Sequence, residues 1–347
     1  MQQIKAYGVS NAAQALGPLQ ISRRDTGADD VAIDIAYCGV CHSDIHQARN
    51  EWGNSLYPMV PGHEITGKVT AVGAKVKRFK VGDKVGVGCL VDSCRECPDC
   101  KEHLEQFCTR PIFTYNCLEK DNKTLVQGGY STKIVVHQDF VLRIPDNLPL
   151  DKAAPLLCAG ITTYSPLHHW NASPGKKVAI IGLGGLGHMA VKIAHALKAQ
   201  VTLLSRSLDK KDDAMRLGAD QVHATSDPKT FEKLSRYFDL IINTVSVKLD
   251  WGAYLGLLKR DGAMVLLGAP SDAPQLSAFP LIMGRRSLAG SLIGGLKETQ
   301  EMLDFCGKHN ITSDIELIPI NKINEAYERV IKADVKYRFV IDIASLK

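Results

Sequence analysis

The stretch KKVAIIGLGGLGHMAVKIAHALKA, residues 176–199, does most to limit what this chain can become. An apolar strand runs into a glycine turn. The turn opens a segment whose apolar residues recur at helical spacing. A second strand, QVTLLSRS, follows at once, and DLIINTVS and GAMVLLGAP continue the pattern with amphipathic stretches between them. Strands that alternate with helices are expected to form a parallel, doubly wound sheet of the α/β class.

The first 150 residues have a different texture. VAIDIAYCGV, ITGKVTAVG, DKVGVGCLV and YSTKIVV are short β-branched runs broken by Gly, Asp and Lys, and they read as strands of a β-rich domain. The tail INEAYERVIKADVKYRFVIDI ends in a helix and a strand. A chain of 347 residues exceeds what one hydrophobic core usually supports, so two domains are expected. The net charge of +5 is spread along the sequence, which argues against a polybasic nucleic-acid surface. No run of 18 apolar residues predicts a membrane span, and MQQIKAYGVS lacks the apolar core of a signal peptide. A cytoplasmic location is the expectation by default.

Within GLGGLG, Gly182, Gly184 and Gly187 form G-x-G-x-x-G, with Gly185 and Leu186 between them. A glycine turn that serves only helix packing would look the same in isolation. The strand before it and the helix after it favour a dinucleotide site. There Gly182 permits the tight turn, Gly184 lets a pyrophosphate approach the backbone, and Gly187 lets helix and strand pack closely. The helix N-terminus adds N–H groups and the positive end of its dipole. The end of the second strand selects the coenzyme. Sites for NAD place Asp or Glu there; this chain has Ser205, Arg206 and Ser207, then Lys210 and Lys211. Hydroxyls and cations suit a 2′-phosphate, so NADP is predicted. A solvated basic loop is the plainer alternative.

Six of the ten cysteines lie between Cys89 and Cys117. Four of them, Cys94, Cys97, Cys100 and Cys108, are spaced C-x2-C-x2-C-x7-C. Four thiolates this close predict a closed tetrahedral structural zinc site. An iron–sulfur motif fits less well, because the last gap is long and no further cysteine set follows. Elsewhere, CGVCHSDIH (residues 38–46) pairs Cys38 with Cys41, PGHEITG holds His63 and Glu64, and PLLCAGITTY holds Cys158. A Cys2His set would leave one coordination position open for substrate. Spacing alone does not select these three residues, and it leaves a C-x-x-C redox pair open.

CGVCHSDIH, PGHEITG, the four-cysteine lobe, CAGITTY, GLGGLG and YRFVID occur in this order over essentially the whole chain. In this the chain resembles the zinc-dependent medium-chain alcohol dehydrogenases, cinnamyl alcohol dehydrogenase branch. The resemblance implies a GroES-like catalytic domain over 1–149, completed by 290–347, and a Rossmann NADP-binding domain over 150–289. It implies two zinc ions per chain. Cys41, His63 and Cys158 would hold the catalytic ion, leaving Cys38 a packed small hydrophobe. Asp44 would orient the histidine ligand, and Glu64 would lie close to the metal. Ser43 and His46 would relay a proton, while His42, Thr162 and Arg338 would contact the coenzyme. The implied reaction interconverts an alcohol and an aldehyde by hydride exchange with NADP(H), mainly as aldehyde reduction. The substrate would be a primary alcohol or aldehyde, aromatic or medium-chain. Trp52, Leu56, Tyr57 and Met59 are candidates for an apolar wall beside it. Members of this branch commonly dimerise, so a homodimer is expected. A zinc-free quinone or enoyl reductase, a non-catalytic zinc-stabilised protein and a zinc-ribbon nucleic-acid binder are the rival readings. The complete ligand set counts against the first two, and the absence of a basic stripe with interleaved aromatics against the third.

Overall fold

The computed structural model describes residues 1–268, 270, 273 and 275–346. The chain divides into two units, Met1–Ile161 with Gly294–Lys347 and Thr162–Ile293.

The unit Thr162–Ile293 carries the expected doubly wound sheet. Its six strands lie in the order Gln221–Ala224, Gln200–Ser205, Lys177–Ile181, Phe238–Asn243, Leu258–Leu266 and Ser287–Gly290, every pair parallel. Numbered along the chain this is 3-2-1-4-5-6, the order in which the crossovers reverse direction beside the first strand. Val178, Ile180, Val201, Leu203, Ile241 and Ile242 are fully enclosed, which is why these strands read as continuous apolar runs rather than alternating ones. The helix Gly187–Ala196 follows the first strand and buries Met189, Ala190, Val191, Ile193 and Ala194. The glycine loop therefore stands at the carboxyl end of strand Lys177–Ile181, next to the switch point where such sheets bind ligands.

The other unit is built on a mainly antiparallel sheet. Its strand order is Leu142–Arg143, Lys84–Val87, Ile65–Val72, Asp30–Gly39, Arg338–Asp342 and Ile315–Pro319, and Lys133–His137 also pairs with Asp30–Gly39. Lys133–His137 alternates partly and fully buried residues, as a half-covered strand should. The C-terminal strand Arg338–Asp342 joins this sheet beside Asp30–Gly39, so the two ends of the chain share one core. Two sequence-distant segments thus meet where Asp30–Gly39 ends, a few residues before Cys41.

Some elements carry no clear strand signal in the sequence. Gln2–Gly8 and Gly17–Arg23 form an antiparallel pair of their own, and Ile315–Pro319 and Ser287–Gly290 are short edge strands. These runs carry Gly, Pro or Gln where a strand signal would want β-branched residues. Among the described residues, no helix is long and apolar enough to cross a membrane.

Candidate metal centres and coenzyme loop

Cys41 lies two residues beyond the strand Asp30–Gly39 and is the N-cap of the helix His42–Ala48. His63 lies just before the strand Ile65–Val72, and Cys158 follows the short turn Ala154–Leu157. Three chain breaks converge. The ligand atoms of Cys41, His63, Glu64 and Cys158 all lie within 4.8 Å of one another, and all four residues are buried. Cys41 Sγ is 3.9 Å from Cys158 Sγ, and His63 Nε2 is 3.3 Å from Cys158 Sγ. Two sulfurs and an imidazole nitrogen are a zinc donor set.

Asp44 organises this cluster. It is 0% exposed, and both its oxygens accept hydrogen bonds. The Cys41 N–H (2.9 Å) and the Tyr130 hydroxyl (3.2 Å) donate to Oδ2. The Gly62 N–H (3.1 Å) and His63 Nδ1 (3.2 Å) donate to Oδ1. A proton on Nδ1 leaves the lone pair of Nε2 facing the thiols, the tautomer a metal ligand needs.

Glu64 and Arg338 form a buried ion pair at 3.1 Å, without hydrogen-bond alignment. Burial lifts the Glu64 carboxyl to about 8, against the pull of Arg338. The Arg338 guanidinium stays charged: burial works against it, but Glu64 and the two cysteines hold its pKa up. Arg338 Nη1 also donates to the Val40 carbonyl at 3.1 Å, while Nε has no partner among the described residues.

Cys38 is fully enclosed, and burial pushes its thiol well up. Cys41 has Cys158, not Cys38, as its sulfur neighbour. The pair in CGVC is therefore split between a packed thiol and a site thiol, and all ten cysteines are unbridged.

On the outer side of the same helix, Ser43 and His46 are partly exposed and His42 is exposed. His46 Nδ1 lies 2.5 Å from Glu51 Oε2, and its ring is 5.0 Å from that of Trp52. Glu51 was not among the sequence candidates. A surface acid five residues beyond a histidine carries no motif. Of the suggested apolar wall, Trp52 and Leu56 are exposed, Tyr57 donates to the Ala48 carbonyl at 2.9 Å, and Met59 is packed in the core.

The second cysteine group is as tight. The sulfurs of Cys94, Cys97, Cys100 and Cys108 lie within 4.8 Å of one another. Backbone N–H groups point at them: Cys97 N to Cys94 Sγ at 3.3 Å, Cys94 N to Cys108 Sγ at 3.4 Å and Arg110 N to Cys108 Sγ at 3.3 Å. Such donors favour thiolates. Those from Glu96 and Cys97 bring Cys94 down to about 6, whereas burial pushes Cys100 up to about 12.

In the parallel-sheet unit, Gly182 has φ +88°, a left-handed conformation that side chains rarely adopt. A Cβ on Gly187 would lie 2.1 Å from the Gly182 carbonyl oxygen, so helix and turn can approach only at glycine. A Cβ on Gly184 would meet nothing within 4 Å, and the space above it is open. Ser205 ends its strand; Arg206 and Ser207 are exposed beyond it, and Ser207 donates to Asp209 at 2.8 Å. Lys210 Nζ reaches back to the Leu183 carbonyl at 3.2 Å, so a cation from the second strand's loop closes over the glycine turn. Gly185 and Leu186 lie within this turn, and Thr162 is buried in the helix Ala159–His169.

Residues 27–146 match the family model of the alcohol dehydrogenase GroES-like domain, and residues 185–308 that of zinc-binding dehydrogenases. The chain is 61% identical over 349 residues to NADP-dependent alcohol dehydrogenase C 1 of Mycolicibacterium smegmatis, covering 100% of both chains. A cinnamyl alcohol dehydrogenase from Sorghum bicolor has a similar structure, with TM-score 0.96, 45% identity and 99% and 98% of the two chains covered. The CAD of Helicobacter pylori, solved in complex with NADP(H), gives TM-score 0.92 and 48% identity, again covering 99% and 98%.

Proposed function

The chain belongs to the family of zinc-binding alcohol dehydrogenases with a GroES-like domain, and on that premise we propose that it interconverts primary alcohols and aldehydes with NADP(H), working mainly as an aldehyde reductase on aromatic or medium-chain substrates. The observation that carries this reading is the buried convergence of Cys41, His63 and Cys158, with Asp44 fixing the imidazole. These three residues would hold the catalytic zinc, and the donor set fits it: two thiols and an imidazole nitrogen presented together, with one position left for substrate. When bound, that zinc is a Lewis acid that polarises the substrate oxygen. The coenzyme supplies the hydride chemistry. Cys94, Cys97, Cys100 and Cys108 would hold a second, structural zinc.

The chain's own side chains do the rest. Ser43 and His46 are assigned to the proton path, and the contact of His46 with Glu51 would extend it toward solvent. Gly182, Gly184, Gly185, Leu186 and Gly187 form the pyrophosphate turn. Ser205, Arg206, Ser207 and Lys210 take the 2′-phosphate; no carboxylate stands at the strand end itself, and Asp209, four residues on, holds the Ser207 hydroxyl at 2.8 Å. Arg338, His42 and Thr162 are assigned as further coenzyme contacts; Nε of Arg338 has no partner among the described residues and would be a donor for a phosphate oxygen. Glu64 stands beside the metal position, 3.1 Å from the Arg338 guanidinium.

Catalytic and coenzyme domains are assigned to 1–149 with 290–347 and to 150–289. We further assign a cytoplasmic location, in keeping with ten unbridged cysteines, and a homodimer. The exposed apolar side chains of Phe279, Ile282 and Met283 support a second copy as the partner of this face. The test is coenzyme choice: kcat/KM for NADPH and NADH with benzaldehyde and cinnamaldehyde. NADPH is expected to give the higher value; a preference for NADH would overturn the assignment of Ser205, Arg206, Ser207 and Lys210.

A further inference from the structure

Asp44 sits at 0% exposure and receives four hydrogen bonds, two on each oxygen. Two of the donors are backbone N–H groups and the third is His63. The fourth, the hydroxyl of Tyr130, comes from a different part of the chain and is fully buried. A phenylalanine would fill the same volume without placing a polar atom in the core. The hydroxyl is held where it is by more than its own hydrogen bond. The backbone of its segment is laced to the residues before His63, with Gly128 N to the Val60 carbonyl at 2.7 Å, Gly129 N to the Gly62 carbonyl at 2.8 Å and Tyr130 N to the Pro61 carbonyl at 3.0 Å. Gly62 has φ +106°, and a Cβ there would lie 2.7 Å from the Tyr130 ring, so the two segments are as close as backbone allows. On the far side the buried Arg23 clamps the carbonyls of Gln127 (2.7 Å) and Gly128 (2.9 Å) and the Ser131 hydroxyl (3.0 Å).

We propose that Tyr130 is a positioning residue for the catalytic metal: its hydroxyl fixes the Asp44 carboxylate in the orientation from which Asp44 aims His63 Nε2. This rests on the reading of Cys41, His63 and Cys158 as zinc ligands. The chain of action has three links. Arg23 and the backbone lacing place the phenol, the phenol holds Oδ2, and Oδ1 then receives the imidazole N–H. Hydrogen bonds to a carboxylate are strong and directional, so loss of the Tyr130 donor leaves Oδ2 held by the Cys41 N–H alone and loosens the carboxylate's orientation. Burial raises the Tyr130 phenol well above its ordinary range, which keeps it a donor throughout the working pH.

The experiment measures zinc release from the intact protein to excess dipicolinate, followed by a chromogenic zinc indicator. The catalytic phase is the one missing from Cys158→Ser. Outer partners of metal ligands are worth 10–100-fold in metal affinity, and one step further out Tyr130→Phe is expected to speed the catalytic phase by about 3–10-fold. The structural phase should not change. In an Asp44→Asn background the added Tyr130→Phe change should accelerate release less than it does alone, because Tyr130 acts through the carboxylate that the amide has replaced. Where Asp44→Asn holds no catalytic zinc, the wild-type and Tyr130→Phe rates decide alone. Equal release rates, acceleration of both phases alike, or undiminished acceleration in the Asp44→Asn background would each overturn the proposal. A wild-type protein that shows the structural phase alone would instead overturn the ligand assignment beneath it.

Discussion

Replacing Asp44 by Asn changes one atom type in the most crowded hydrogen-bond acceptor of the site. Both carboxylate oxygens face donors only: Cys41 N–H and the Tyr130 hydroxyl on one side, Gly62 N–H and His63 Nδ1 on the other. An amide has one acceptor oxygen and one NH2 group. Turned one way, its NH2 meets the Cys41 N–H and the Tyr130 hydroxyl; the hydroxyl can rotate to accept, and one backbone donor is left unpaired. Turned the other way, it meets the Gly62 N–H and His63, and the histidine loses the acceptor that fixes its tautomer. The first arrangement is cheaper and costs about 1–3 kcal/mol for the orphaned buried donor. The imidazole also loses its charged partner, which typically weakens a metal site 10–100-fold. The assay is competition for zinc with a chelator of known affinity, set beside thermal unfolding. Asp44→Asn should bind the catalytic zinc at least about tenfold more weakly and unfold at lower temperature. Wild-type zinc affinity in this variant would refute the claim that Asp44 holds His63 for a metal.

Four other substitutions test the zinc lobe, the proton path and a buried ion pair separately. Cys100→Ser should release about one equivalent of zinc and lower Tm while the catalytic metal stays, which metal analysis of the folded variant will show. His46→Ala and Glu51→Gln should each slow turnover and alter its pH profile without loss of zinc; unchanged kcat at every pH would remove both from the proton path. Asp30→Asn tests stability away from the site. Burial alone would raise the Asp30 carboxyl, but hydrogen bonds from Arg24 and the Gly27 N–H bring it below its ordinary value. Its contribution is thus present above the unfolded pKa of about 4 and is lost as the pH falls through the lower folded value. The variant should be less stable at neutral pH and show a shallower loss of stability in acid, read from urea unfolding at a series of pH values.

Both sheets announced themselves where apolar period and burial coincide, as in KVAII and VAIDIAYCG. The pair Gln2–Gly8 and Gly17–Arg23 did not, because GPLQISR opens on Gly and Pro and alternates around Gln20. The four-cysteine group was legible from spacing, since its members lie in one loop. The proposed catalytic set was not. Cys41 and Cys158 are 117 residues apart, and only the meeting of three chain breaks near one end of the central strands Asp30–Gly39 and Ile65–Val72 joins them to His63. It took resemblance to a known family to pick them from the other cysteines and histidines. Tyr130 and Glu51 were invisible for opposite reasons: a buried tyrosine looks like core, and an exposed glutamate looks like surface.

The most direct test compares wild-type protein with Cys158→Ser in zinc content per chain and in NADPH oxidation with benzaldehyde. Zinc is expected at both cysteine-containing groups in the wild type. The variant should keep the structural ion alone, with aldehyde reduction abolished while it remains folded. A variant that keeps both ions, or that reduces the aldehyde at the wild-type rate, would contradict the assignment of Cys41, His63 and Cys158 as the catalytic zinc site.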